Sequence, residues 1–131
     1  MKEIIKPGDQ KIYQFRVGED DTAAFHGEQV HPVCSTFVLA REIEWSSRLF
    51  VLEMKEEDEE GIGTQLSIQH ASPAFIGEKL EIVATVKSLV KNEIICTYEV
   101  RVEDRLIAHG ETGQKVMLKE RINKILGRNG E

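Results

Sequence analysis

The segment CSTFVLAREIEWSSRLFVLEM, residues 34–54, sets the architecture that the other residues must complete. Ser35 or Thr36 can cap a helix here, since a hydroxyl accepts a hydrogen bond from a backbone N–H that the first turn leaves unpaired. Behind the cap, Phe37, Val38, Ala40, Ile43, Trp45, Leu49, Phe50, Leu52 and Met54 spread over more than one narrow stripe. A helix apolar on several sides is surrounded by other structure rather than laid on a surface. The pattern predicts a buried helix running to about Lys55. The acidic run 56–60 is expected to end it as a solvated loop, because carboxylates oppose the negative end of the helix dipole.

What surrounds the helix is read from the rest of the chain, which is mostly strand. Residues 64–70 place Leu66, Ile68 and His70 on one face and Gln65, Ser67 and Gln69 on the other. Residues 79–90 alternate for a dozen positions with Leu80, Ile82, Ala84 and Val86 inward, and residues 93–102 do so with Ile94, Cys96, Tyr98, Val100 and Val102. Glu103-Asp104 reads as a tight turn into a last strand, residues 106–119. There Leu106, Ala108, Gly110 and Thr112 share a face small enough for a bulky element to pack against. A short helix is expected over residues 119–126. Ahead of the long helix, Pro7-Gly8 marks a turn and residues 11–17 a short strand. Residues 18–22 read as irregular, and 23–33 as a loop or short helical turn covering something. Strands that are half-buried by alternation and one helix apolar on several sides give an α+β fold. It is a curved antiparallel sheet wrapped around a single long helix.

The totals bound the function. At 131 residues the chain is read as one domain, 1–131, large enough to bury a core without staples. Hydrophobic residues make up 40% and aromatic residues 6%, so aliphatics must build that core. A net charge of -6 argues against non-specific nucleic-acid binding, although a local patch can still receive an anion. Cys34 and Cys96 match no metal spacing and are too few for a disulfide framework, so two reduced thiols are expected and no metal. The first residues are too charged for a signal peptide, and no run is long enough for a membrane span. A reducing cytoplasm is the expected compartment, with no membrane partner.

Three residues able to do chemistry, Thr36, Glu44 and His70, fall in or just after the helix. Thr36 and Glu44 are two turns and about 80° apart, so both can face one cleft. A carboxylate inside a buried helix must be paired, protonated or functional, and Arg48 at i+4 offers a simple pair. Thr36 can serve as a cap alone, and an inward His70 as a hydrogen-bonded core histidine. Read together, the three suit acyl transfer. A carboxylate acts as nucleophile or general base, an imidazole shuttles protons, and a hydroxyl positions water or the acyl oxygen. Backbone N–H groups near a glycine or helix start can receive an oxyanion, and Gly63 permits close approach of a ligand.

The order Thr36, Glu44-Trp45, Gly63-Thr64, His70, Gly77 and the later Leu106-Ile107-Ala108-His109-Gly110 resemble the fluoroacetyl-CoA thioesterase-like family of hotdog-fold proteins. The likeness covers residues 11–122. It implies a hotdog fold with a five-stranded antiparallel sheet, a homodimer, and a coenzyme A thioester hydrolysed by a Thr-Glu-His set. It implies no cofactor beyond the coenzyme A of the substrate. Glu111-Thr112 follow Gly110 where the family often carries Thr-His, and residues 23–33 are shorter and less aromatic than the fluoroacetyl-specific lid. An acyl-CoA thioesterase of unspecified small acyl group is the reading. A non-catalytic acyl-CoA-binding domain is the first alternative. A hydratase or dehydratase using His31 and Glu44 is the second, and it lacks the Pro-Gly loop usual between such residues.

Overall fold

The computed structural model describes residues 1–25 and 28–127, with side chains omitted for 23–25 and 28–31. The elements in order are β1 (Gln10–Arg16), a 3-10 turn (Glu19–Asp21), β2 (Thr22–Phe25), β3 (Glu28–Cys34) and α1 (Thr36–Met54). They continue with β4 (Glu59–Leu66), β5 (Gln69–His70), β6 (Lys79–Val90), β7 (Glu93–Val102), β8 (Arg105–Leu118) and α2 (Lys119–Ile125). One antiparallel sheet runs β1-β6-β7-β8-β4, and β5 also pairs with β8; β2 and β3 form a separate hairpin. The sheet curls around α1, which is the hotdog arrangement that the resemblance implied. The expected five-strand path is present, and β5 adds two residues along its β4 edge. No described helix is long and apolar enough to cross a membrane.

The central strands follow their alternation. Leu80, Ile82, Ala84 and Val86 of β6, with Ile94, Cys96, Tyr98 and Val100 of β7, are all buried. Two-residue links, Lys91-Asn92 and Glu103-Asp104, join β6 to β7 and β7 to β8. Lys91 and Glu103 adopt positive φ of 57° and 52° to make these turns. On α1 the buried positions are Val38, Leu39, Ile43, Ser46, Ser47, Phe50, Val51 and Met54. The serines let the helix sit close to the sheet: Ser46 Oγ donates to the Ile43 carbonyl at 2.6 Å, and Gln114 Nε2 of β8 donates to Ser47 Oγ at 3.2 Å.

That burial pattern corrects the expectation of a helix enclosed on all sides. In the single chain α1 buries one broad face, while Phe37, Arg41, Glu44, Trp45 and Leu52 are exposed. Apolar side chains on both faces made the helix read as fully surrounded. Two further expectations change. Residues 23–33 hold a hairpin rather than a loop or helical turn, apart from His26 and Gly27, which lie outside the described residues. The strand expected at 64–70 starts earlier, at Glu59, and is broken after Leu66. The acids of 56–60 are therefore only partly loop. Glu59 Oε1 accepts the Glu56 N–H at 2.9 Å and Glu60 pairs with Arg48 at 2.8 Å, so both carboxylates are satisfied inside the strand.

Candidate active site

Ser35, not Thr36, caps α1: its Oγ accepts the Val38 N–H at 3.1 Å. Thr36 is thereby left as the first helical residue with its hydroxyl free for another partner. That partner is His70, with Thr36 Oγ1 and His70 Nε2 3.3 Å apart. Two anchored segments bring them together. Beyond His70, the Ala71 N–H donates to the Ile107 carbonyl at 2.8 Å and Ser72 Oγ to the Leu106 carbonyl at 2.6 Å, which holds the chain on β8. It then turns back so that the Ala74 carbonyl accepts the Cys34 N–H at 2.8 Å, just ahead of the helix, and Val33 bridges Phe75. From the other side the Ser35 N–H donates to the Asp21 carbonyl at 2.8 Å. The contact thus joins groups that 34 residues of sequence separate.

His70 was expected to be an inward histidine with a hydrogen-bond partner. It keeps the face predicted by alternation, opposite buried Ala108, but it stands at the open end of the edge and is exposed. Its partner is Thr36. Glu44 was expected inside a buried helix, as a site residue or, in the simpler alternative, paired with Arg48. It is exposed instead, and Arg48 turns to Glu60. Among the described residues the Glu44 carboxylate has neither an ion pair nor a hydrogen-bond donor. It faces Gly63 closely: a Cβ built on Gly63 would sit 3.8 Å from Glu44 Oε2.

Glu44 and Gly63 line a cavity of about 430 Å³ between the two edges of the curled sheet, together with Tyr13, Trp45, Arg48 and Gln114. Tyr13 belongs to one edge and Gly63 to the other, so the cavity is the slot through which α1 sees solvent. Thr36 and His70 do not line it. Glu44 lies eight residues along α1 from Thr36, about 12 Å at the helical rise. Within one chain the structure therefore brings Thr36 to His70 and Glu44 to Gly63, as two adjacent groups along one helix face.

Sequence reasoning did not single out Tyr13 or Glu42. The Tyr13 hydroxyl donates to Glu42 Oε1 at 2.7 Å, and Arg41 Nε binds the other oxygen at 2.8 Å. The Glu42 carboxylate, with some burial, pushes the phenol up to about 12. This tie fixes the helix to the β1 edge beside the cavity; the two partners lie 29 residues apart and no spacing announces them. A second depression, about 640 Å³, lies on the outer face of the sheet among Thr85, Thr97, Glu99, His109 and Glu111, away from the helix. The side chain of His31, which the hydratase alternative needs, lies outside the described atoms.

Comparison with known proteins bears on this arrangement. The model of the fluoroacetyl-CoA-specific thioesterase family, FlK, matches residues 17–120. A Thermus thermophilus hypothetical protein, TTHA0967, described as a thioesterase superfamily member, superposes with a TM-score of 0.90. It is 26% identical over 98% of this chain and 95% of its own. The fluoroacetyl-CoA thioesterase FlK superposes with a TM-score of 0.86 and 17% identity, over 95% of this chain and 96% of its own. A variant of FlK has been solved in complex with fluoroacetate and CoA. It gives a TM-score of 0.84 and 17% identity, over 91% of this chain and 100% of its own. No curated protein sequence gives a match. A family match across most of the chain, on a sheet that curls around one helix, makes this chain a member of the fluoroacetyl-CoA-specific thioesterase family, a family of thioester hydrolases.

Proposed function

We propose that the chain hydrolyses a small acyl-CoA thioester with Thr36, Glu44 and His70 as its site. The observation that carries this reading is the 3.3 Å approach of Thr36 Oγ1 to His70 Nε2 at the start of α1. A hydroxyl and an imidazole within hydrogen-bond reach can pass a proton between an attacking oxygen and a departing group. The Thr36 and Phe37 N–H groups belong to the first helical turn, which leaves its donors unpaired and carries the positive end of the dipole. Negative charge that develops on the thioester oxygen is stabilised there. Glu44 supplies the carboxylate, as nucleophile at the acyl carbon or as base for the attacking water. Water adds, the C–S bond breaks, and the sulfur leaves as coenzyme A thiol, its proton delivered from the site. The close backbone of Gly63 lets the acyl group lie against Glu44.

A homodimer completes the reading. The β1 and β4 edges are open, and an open edge invites a second copy. Phe37 is 79% exposed and Trp45 41% exposed, on the same face as the candidate residues. A partner laid along the β4 edge covers these apolar groups and closes the stretch between His70 and Glu44. A second reading, an acyl-CoA-binding domain without turnover, draws on the separation of about 12 Å along the helix in one chain. One experiment separates the two: a panel of acyl-CoAs is assayed for thiol release while the solution mass is measured at micromolar concentration. Thiol release by a dimer is expected. Tight binding without thiol release would reject hydrolysis, and a monomeric mass would reject the shared site.

A further inference from the structure

The edge strand that carries His70 is interrupted without losing its place. Leu66 faces Thr112, and after the gap Gln69 faces His109 and His70 faces Ala108, so the register against β8 does not shift. Ser67 therefore stands opposite Glu111, where a regular antiparallel pair exchanges two backbone bonds. One is made in the regular way: the Ser67 N–H donates to the Glu111 carbonyl at 2.9 Å. The other is diverted. The Glu111 N–H donates to the Ser67 side-chain Oγ at 3.0 Å. The Ser67 carbonyl turns out of the ladder and accepts the Tyr98 hydroxyl at 2.7 Å.

Tyr98 is on β7, with β8 between it and Ser67. Its cross-strand neighbour on β8 is Gly110, over which the phenol must pass. A Cβ on Gly110 would lie 2.1 Å from the Ser67 carbonyl oxygen and 2.9 Å from the Tyr98 hydroxyl. Both the close approach of the Ser67 carbonyl and the path of the phenol thus need glycine here. Tyr98 is buried, so its hydroxyl needs a partner, and a carbonyl taken off its ladder needs a donor. One bond satisfies both.

We propose that Tyr98, by holding the Ser67 carbonyl out of the β8 ladder across Gly110, is a positioning residue for His70. The chain between the rotated Ser67 peptide and the Ala71 anchor is short, so the state of that peptide sets the aim of the imidazole at Thr36. This inference rests on the reading of His70 as a site residue.

The test uses the full chain with two variants and a control. Tyr98→Phe removes only the hydroxyl. Ser67→Ala, at an exposed position, removes the diverted acceptor, so the Glu111 N–H competes with Tyr98 for the carbonyl and draws it back. Ile94→Val perturbs the other core cluster and serves as a control for a general loss of stability. The imidazole ring signals of His70 and His109 are followed by NMR, and turnover is followed on the best thioester of the panel. We expect both variants to move the His70 signals and lower kcat by roughly tenfold to a hundredfold, with KM nearly unchanged. Ile94→Val should do neither. Unmoved His70 signals in Ser67→Ala and in folded Tyr98→Phe would overturn the proposal, whatever the turnover. Moved signals with unchanged kcat, or an equal loss of kcat in Ile94→Val, would overturn it too. If the parent chain releases no thiol while the signals move as expected, the hydrolytic reading fails and the positioning of His70 by Tyr98 stands.

Discussion

Strands β6, β7 and β8 and the edge formed by β4 and β5 belong to one sheet but are built differently. In the first group the inward positions are mostly buried apolar side chains, the links are two residues long, each ladder shifts register once, between Val86 and Ser88 and between Val100 and Arg101, and the side chains facing α1 form the core. The edge holds two glycines near its start, an irregularity between Gly63 and Gln65, a diverted peptide at Ser67 and an exposed histidine at its end. The helix divides less sharply: Phe50 and Met54 cluster with side chains of β6, β7 and β8, Val51 also lies against Gly61 of the edge, and Glu44 faces Gly63. Covered pairing supplies stability, and the candidate chemistry lies beside an edge where the strand is broken after Leu66 and its residues are exposed. Groups that must meet a ligand need an open face, which an unbroken and covered ladder does not leave.

Substitutions can break this division, beginning with the largest expected effect. Phe50→Ala empties a fully buried site and should cost roughly 3–5 kcal/mol, read from chemical denaturation, while the folded fraction keeps its turnover. Glu44→Gln should do the opposite. Thioester turnover should fall on the order of 100-fold or more, with stability within about 0.5 kcal/mol of the parent, because the carboxylate is exposed and unpaired among the described residues. Retained turnover in this variant would remove Glu44 from the site. For His70→Ala we expect a smaller kinetic loss, roughly tenfold to a hundredfold in kcat, with the melting temperature unmoved. A destabilised but fully active His70→Ala protein would return His70 to a structural role.

The smallest effect sharpens the comparison inside the edge itself. Glu60, the second residue of β4, pairs with Arg48, both about one-third exposed, so Glu60→Gln should cost under about 1 kcal/mol in denaturation. Its carboxyl is held below the ordinary 4.5, first by the Gly61 N–H and then by the Arg48 guanidinium. A depressed folded value means this contribution is complete above the unfolded pKa and is lost as pH falls through the folded one. Stability measured from about pH 6 to about pH 3 should therefore fall less steeply in Glu60→Gln than in the parent. Parallel curves would show that the tether contributes nothing.

The same division explains what could be read in advance. The dozen alternating residues of β6 and the caps and turns around α1 and β8 carry local signals, so those elements and the hotdog arrangement were legible. The start of β4 was not, because Glu59 and Glu60 look like solvent residues until Glu56 and Arg48 are in place to hold them. The hairpin over Thr22–Cys34 was missed because its histidines, Gly27 and Pro32 break any alternation. Thr36, Glu44 and His70 were singled out as candidates by residue type and spacing. Their exposure was misjudged because Phe37, Trp45 and Leu52 are apolar on the open face of α1, and apolar content alone cannot say which face is covered. Neither the tie from Tyr98 to Ser67 nor that from Tyr13 to Glu42 leaves a trace in periodicity.

The two cysteines give the protein an internal reporter. Cys96 sits in the core of β7 and Cys34 half-buried just ahead of α1, and both are free. Burial pushes the Cys96 thiol up to about 12 and, aided by the Asp21 and Glu42 carboxylates, the Cys34 thiol up to about 11. Since the thiolate is the reactive form, both thiols should consume a disulfide reagent slowly near neutral pH while the fold is intact. Such a reagent, added to detect released coenzyme A, therefore starts from a low protein background. Labelling of Cys34 would register opening at the start of the helix, and labelling of Cys96 would register loss of the sheet, so one colour change can time both catalysis and failure of the scaffold.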